Sequence, residues 1–145
     1  MRSVIIFIEN KSKYEIEKLL DVITMYKQKN PWCIFYKNTD DPVLYINIDY
    51  DNSIKNSLEI MELVKNDQSI LEKHELIMID ISGRHNGYDE LVEFLEKLFK
   101  DTSGYVADDY TDYLWNIKEI IDNKKIDNHY FFDTKGWYEE DKKNI

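Results

Sequence analysis

Apolar positions along the chain change period repeatedly, and each change predicts a new element. Residues 3–8 are apolar on both faces, which predicts a strand inside a sheet. In residues 12–28, Ile16, Leu19, Leu20, Ile23 and Tyr26 recur at helical spacing while Glu15, Glu17 and Lys18 point mostly outward. Asn30-Pro31 ends that helix, because the residue before a proline avoids the helical region. Residues 32–37 and 43–50 read as two strands, and the turn formers at 38–42 between them predict a hairpin. Within the second strand, Leu44, Ile46, Ile48 and Tyr50 alternate with Tyr45, Asn47 and Asp49, so one face is wetter.

Ile54, Leu58, Met61 and Val64 predict a helix over 52–65, and residues 75–81 a central strand. The clearest helix is 88–100, with Leu91, Phe94, Leu95, Leu98 and Phe99 on one stripe. Ser103-Gly104 opens a short strand at 105–107, and residues 111–121 form a last helix. The order β-α-β-β-α-β followed by α-β-α predicts an α+β fold. Its sheet is expected to be mixed but mainly antiparallel, with helices packed mostly on one face. The core is ferredoxin-like and carries a C-terminal α-β-α extension. In the tail, 123–145, aromatic runs at 129–132 and 137–138 flank Asp133-Thr134-Lys135-Gly136. That arrangement predicts a small hairpin whose rings dock on the domain, with residues 139–145 fraying.

Composition narrows the class. The chain has 145 residues, four glycines, two prolines and no repeat or linker, so residues 1–145 read as one domain. A chain of this size buries roughly 68–70% of its unfolded surface and needs no disulfides. The single cysteine, Cys33, lies in an apolar run and reads as a small buried hydrophobe in a reducing compartment. The apolar run at 4–8 is too short for an export signal, and nothing approaches the ~18 apolar residues a membrane span needs. A soluble, cytoplasmic protein is expected. Nineteen basic against twenty-nine acidic residues give a net charge of −10. That charge disfavours nucleic acid and membrane surfaces and suits a basic protein partner.

Two polar phrases stand beside the best-defined elements. The first is Ser82-Gly83-Arg84-His85-Asn86-Gly87. Glycine amides, the Arg84 guanidinium and a helix N-terminus would suit an anion, although the spacing fits neither phosphate-binding fingerprint. Equally, Asn86 would cap the following helix, with Asp89 and Glu90 complementing its dipole and opposing a phosphate. The second phrase is Asp108-Asp109-Tyr110-Thr111-Asp112-Tyr113-Leu114-Trp115. Metal or paired-carboxylate chemistry would need Asp80, Asp108, Asp109 and Asp112 to approach one another. The structural alternative has Asp109 or Thr111 capping the last helix.

No histidine has ligand spacing, since His74, His85 and His129 are far apart, and Ser82 with His85 lacks a nucleophile elbow. An enzyme would need several of Asp80, Arg84, His85, Asp108 and Asp109 in mutual contact within a deep polar pocket. Eleven tyrosines and three tryptophans supply the residue types of interface hot spots. Tyr105, Tyr110, Tyr113, Trp115 and Trp137 sit beside acidic side chains.

Ser82-Gly83-Arg84-His85 after an apolar strand, Asp108 to Asp112 with Trp115, and Phe131-Phe132 with Gly136-Trp137-Tyr138 together resemble small bacterial immunity-type proteins. The likeness runs from about residue 75 onward. It implies a non-enzymatic, acidic, single-domain protein that neutralises a cognate, basic toxin domain, without cofactor or metal. The partner face is then expected on Arg84, His85, Asp108, Asp109, Tyr110, Asp112, Tyr113, Trp115 and Trp137. The competing expectation is a ferredoxin-like regulatory module that binds a small ligand at the 82–87 loop. A homodimer is compatible with either.

Overall fold

The computed structural model describes residues 2–25 and 31–136. Five strands form one sheet in the order β2-β3-β4-β1-β5: β1 (Arg2–Glu9), β2 (Trp32–Phe35), β3 (Pro42–Ile48), β4 (His74–Ile81) and β5 (Gly104–Asp108). The sheet is antiparallel throughout, so the mixed sheet expected from sequence gives way to a simpler one. The two strands expected inside the sheet are there: β1 lies between β4 and β5, and β4 between β3 and β1.

Helices α1 (Lys13–Thr24) and α4 (Tyr88–Leu98) cover one face. They pack Ile16, Leu20, Leu91, Phe94, Leu95 and Leu98 against Val4, Ile6, Ile46, Ile77 and Ile79. A Ser12–Glu15 capping box starts α1, and Met25 in the left-handed region ends it, earlier than the proline signal suggested. The path β1-α1-β3-β4-α4-β5 has the strand order of a ferredoxin-like βαββαβ unit. That unit is not made of the first six predicted elements. Strand β2 is an added edge, and the second core helix is α4 rather than a helix at 52–65.

That helix is reduced to α2 (Leu58–Leu63). The buried Asp49 carboxylate takes the amides of Ile54 and Lys55 at 3.1 and 2.9 Å. Asn52 stands at a φ of 59°, so the chain turns before Ser57 caps α2 at the Ile60 amide. Leu58, expected on the apolar stripe, is 88% exposed. A one-turn helix α3 (Ser69–Lys73), not anticipated, follows and leads into β4. Together α2 and α3 cover only part of the second sheet face, around Phe7, Leu76 and Ala107.

The helix expected at 111–121 is likewise shortened to α5 (Ile117–Ile121), capped by Asn116 rather than by Asp109 or Thr111. Trp115 forms a two-bond bridge with Val106, at 2.7 and 2.8 Å, which holds the preceding backbone extended. Phe131 and Phe132 dock in the core as expected. The aromatic hairpin is not formed within the described residues: the tight turn is at Ile126–His129, and residues 134–136 are helical behind an Asp133 cap. Trp137 and Tyr138 lie outside the described residues. Cys33 is free and half-buried rather than fully buried, and burial pushes its thiol up. No helix among the described residues is long and apolar enough to cross a membrane.

Candidate functional site

Both polar phrases lie at the same end of the sheet, because Arg2 pairs with Ile81 and Val4 pairs with Asp108. The residue that organises that end was missed in the sequence. The Arg2 guanidinium donates to the carbonyl oxygens of Asn86 at 2.8 Å, Ser82 at 3.1 Å and His85, and lies 5.5 Å from the centre of the Phe132 ring. The 82–87 loop therefore wraps carbonyl oxygens around a cation instead of aiming amides at an anion. A single arginine at the start of a strand carries no local signal for this; its partners are some eighty residues away.

The loop's side chains are also engaged. Asp41, from the β2–β3 turn, binds the Arg84 guanidinium with one oxygen and His85 Nε2 with the other, the latter at 2.8 Å. Tyr36 stacks on the His85 ring at 4.7 Å. Asn86 Oδ1 accepts the Tyr88 amide at 3.1 Å, so it helps to start α4, but the capping position is Gly87. Gly87 has a φ of 76°, and a Cβ there would meet Ile81 Cγ2 at 2.5 Å. Arg84 and His85 thus clasp two loops together, and only Arg84 remains well exposed.

The second phrase splits in two. Asp108 and Trp115 are buried, which corrects their expected place on a contact face. Asp108 Oδ1 accepts from the Thr111 amide at 3.0 Å, the Thr111 hydroxyl at 2.9 Å and the Tyr110 amide at 3.2 Å; Oδ2 accepts from the Phe132 amide at 2.8 Å. Trp115 packs edge-on to Tyr113 and Phe131, and its ring N–H donates to Thr111. One buried carboxylate thus fixes the 109–112 turn and anchors the aromatic tail segment. Asp109, Tyr110, Asp112 and Tyr113 are left at the surface or half-buried.

The approach expected of Asp80, Asp108, Asp109 and Asp112 is met only in part on the incompletely covered sheet face, because Asp108 is held in its own buried turn. Ser3 joins two of them: its hydroxyl donates to Asp80 at 2.7 Å and its amide to Asp109 at 2.9 Å. Helix α2 adds Glu59 and Glu62, which sequence reasoning did not place there. Along with Asp109 and Asp112 they rim a hollow of about 540 Å³ floored by Ile5, Ile60, Leu63 and Ala107. Partial burial pushes the Asp109 carboxyl above its usual value; the Ser3 amide opposes this, and the charges of Asp108, Glu59 and Asp80 reinforce it. Lys65 at the same rim is paired with Glu62 at 2.9 Å.

A second hollow, of about 340 Å³, lies across the 109–112 turn and is walled by Tyr110, Tyr113, Ile126 and Asp127. The Tyr113 hydroxyl donates to Glu119, which with burial raises it above the ordinary tyrosine range. Among the described residues, no group of three or more His, Cys, Asp or Glu side chains is placed to hold a metal ion. The residues from which an enzyme reading would draw are dispersed: Arg84 and His85 belong to the Asp41 clasp, Asp108 is buried in its turn, and Asp80 and Asp109 are joined by Ser3. No protein-family model, no curated protein and no solved structure matches the chain.

Proposed function

We propose that this protein is a non-enzymatic binder of the immunity type, which captures a basic toxin domain on the acidic rim of its incompletely covered sheet face. One observation carries the reading: exposed carboxylates from the turn after β5 and from α2 surround a hollow floored by Ile5, Ile60, Leu63 and Ala107. Apolar area supplies affinity at a protein interface, and an acidic rim supplies steering and selectivity for a cation-rich partner. The chain's net charge of −10 extends that attraction and speeds encounter. Tyr110 and Tyr113, half-buried beside these carboxylates, are the side-chain types that anchor interfaces.

Asp108, Arg84 and His85 support binding over chemistry, because each already has a structural partner. Asp108 is saturated by four donors, and Asp41 holds both Arg84 and His85. The test is co-expression with a basic protein encoded beside this chain, scored by survival of the host and by co-elution of a complex at low and high salt. Protection and a salt-sensitive complex are expected, both lost when Asp109 and Asp112 are reversed to lysine. Full protection by a folded D109K/D112K variant would falsify this face as the contact surface.

A further inference from the structure

The two hollows flanking the 109–112 turn share Asp109, Thr111 and Asp112 as a common wall, so this turn is a ridge with a cation-attracting recess on each side. We infer that the partner's docking element is a pair of cationic side chains on one exposed segment, which straddle this ridge, an arginine on the tyrosine side and a long-stemmed lysine or arginine on the sheet side. This rests on the binding role proposed above and specifies what that face recognises.

The two recesses ask for different parts of such side chains. On the tyrosine side, the aromatic side chains of Tyr110 and Tyr113 line the recess beside Asp109, Asp112 and Asp127. A planar guanidinium satisfies both: it stacks on an aromatic ring and forks to a carboxylate. On the sheet side the floor is aliphatic and the acids stand at the rim, with Glu59 and Glu62 facing Asp109 and Asp112. A methylene stem lies on such a floor while its charged head reaches the rim. The ridge itself is stiff, because Asp108 holds the Tyr110 and Thr111 amides from beneath and Trp115 bonds Thr111. The recesses are therefore preformed, which lowers the ordering cost of binding.

Charge complementarity selects this occupant over an apolar one. Among the described residues, the only cation on the sheet-side rim, Lys65, is already paired with Glu62, and none lines the tyrosine side. A bound cation pair would place two positive charges against the crowded carboxylates around Asp109.

The experiment uses the full chain and blocked peptides on a glycine-serine background, carrying two arginines at several spacings, an arginine-lysine pair, or one arginine. Binding is followed by NMR shift perturbation and calorimetry at low salt. One spacing should bind at least tenfold more tightly than the single-arginine peptide, with shifts confined to both recesses. D112N, which faces both, should weaken that peptide about tenfold. Y110L and L63A should each return it to single-arginine affinity, without changing the fold's NMR fingerprint. Equal affinity of paired and single peptides overturns the inference, as does self-association of the chain through this face in sedimentation. If pairing fails while a neighbouring toxin is still neutralised in a manner sensitive to D109K/D112K, only the straddling geometry is wrong. If the pair binds as expected and no toxin is neutralised, the recess chemistry stands and the immunity role falls.

Discussion

The two polar phrases occupy the same end of the same sheet and meet opposite fates. The 82–87 loop turns inward: its carbonyl oxygens surround Arg2 and its side chains close on Asp41. The 108–113 segment turns one carboxylate inward and leaves the rest at the surface. The difference lies in what faces each phrase. Two opposite charges, from the first strand and from the β2–β3 turn, stand across from the first; the second faces further carboxylates. A polar segment becomes framework when its complement is supplied within the chain, and remains available when it is not.

Removing the buried carboxylate of the second phrase gives the largest effect. Asp108→Ala orphans the Tyr110, Thr111 and Phe132 amides and frees the aromatic tail segment, so a loss of about 3 kcal/mol is expected in urea unfolding. Arg2→Ala attacks the framework of the first phrase. Three loop carbonyls lose their donor and Phe132 its cation, but partial exposure lets water replace some of this, so about 2 kcal/mol is expected. If Arg2→Ala proves neutral, the contrast between the two phrases collapses.

The smallest effect has the opposite sign. The folded-state carboxyl of Asp109 sits above its unfolded value, so the stability it favours is fully present below the unfolded value of 3.8 and lost as pH rises through the folded one. At neutral pH its charge is a liability. Asp109→Asn keeps an acceptor for the Ser3 amide and removes that charge, and should stabilise the fold by less than about 1 kcal/mol. The gain should vanish on acidification towards the unfolded value, which thermal melts across the acid range will show. A variant that gains stability while losing partner affinity marks a surface kept for binding rather than for folding. A destabilised Asp109→Asn at neutral pH would put Asp109 in the framework with Asp108.

Local patterning determined much of this molecule. Residues 3–8, apolar on both faces, and 75–81, with the apolar run Leu76 to Ile79 at their centre, read as interior strands, and the stripe from Leu91 to Leu98 as a helix against a sheet. The crowding of acidic and aromatic groups at 108–113 was equally visible. Periodicity failed where a side chain competed for the backbone: Asp49 captured the amides that 52–65 needed for a helix, and the Trp115–Val106 bridge kept the approach to α5 extended. Only the tertiary structure decided which helix completes the ferredoxin-like unit, that α2 brings Glu59 and Glu62 to the acidic rim, and that Arg2 holds the 82–87 loop. Each of those depends on contacts between residues distant along the chain, whose energies exceed local preference and leave no spacing to read.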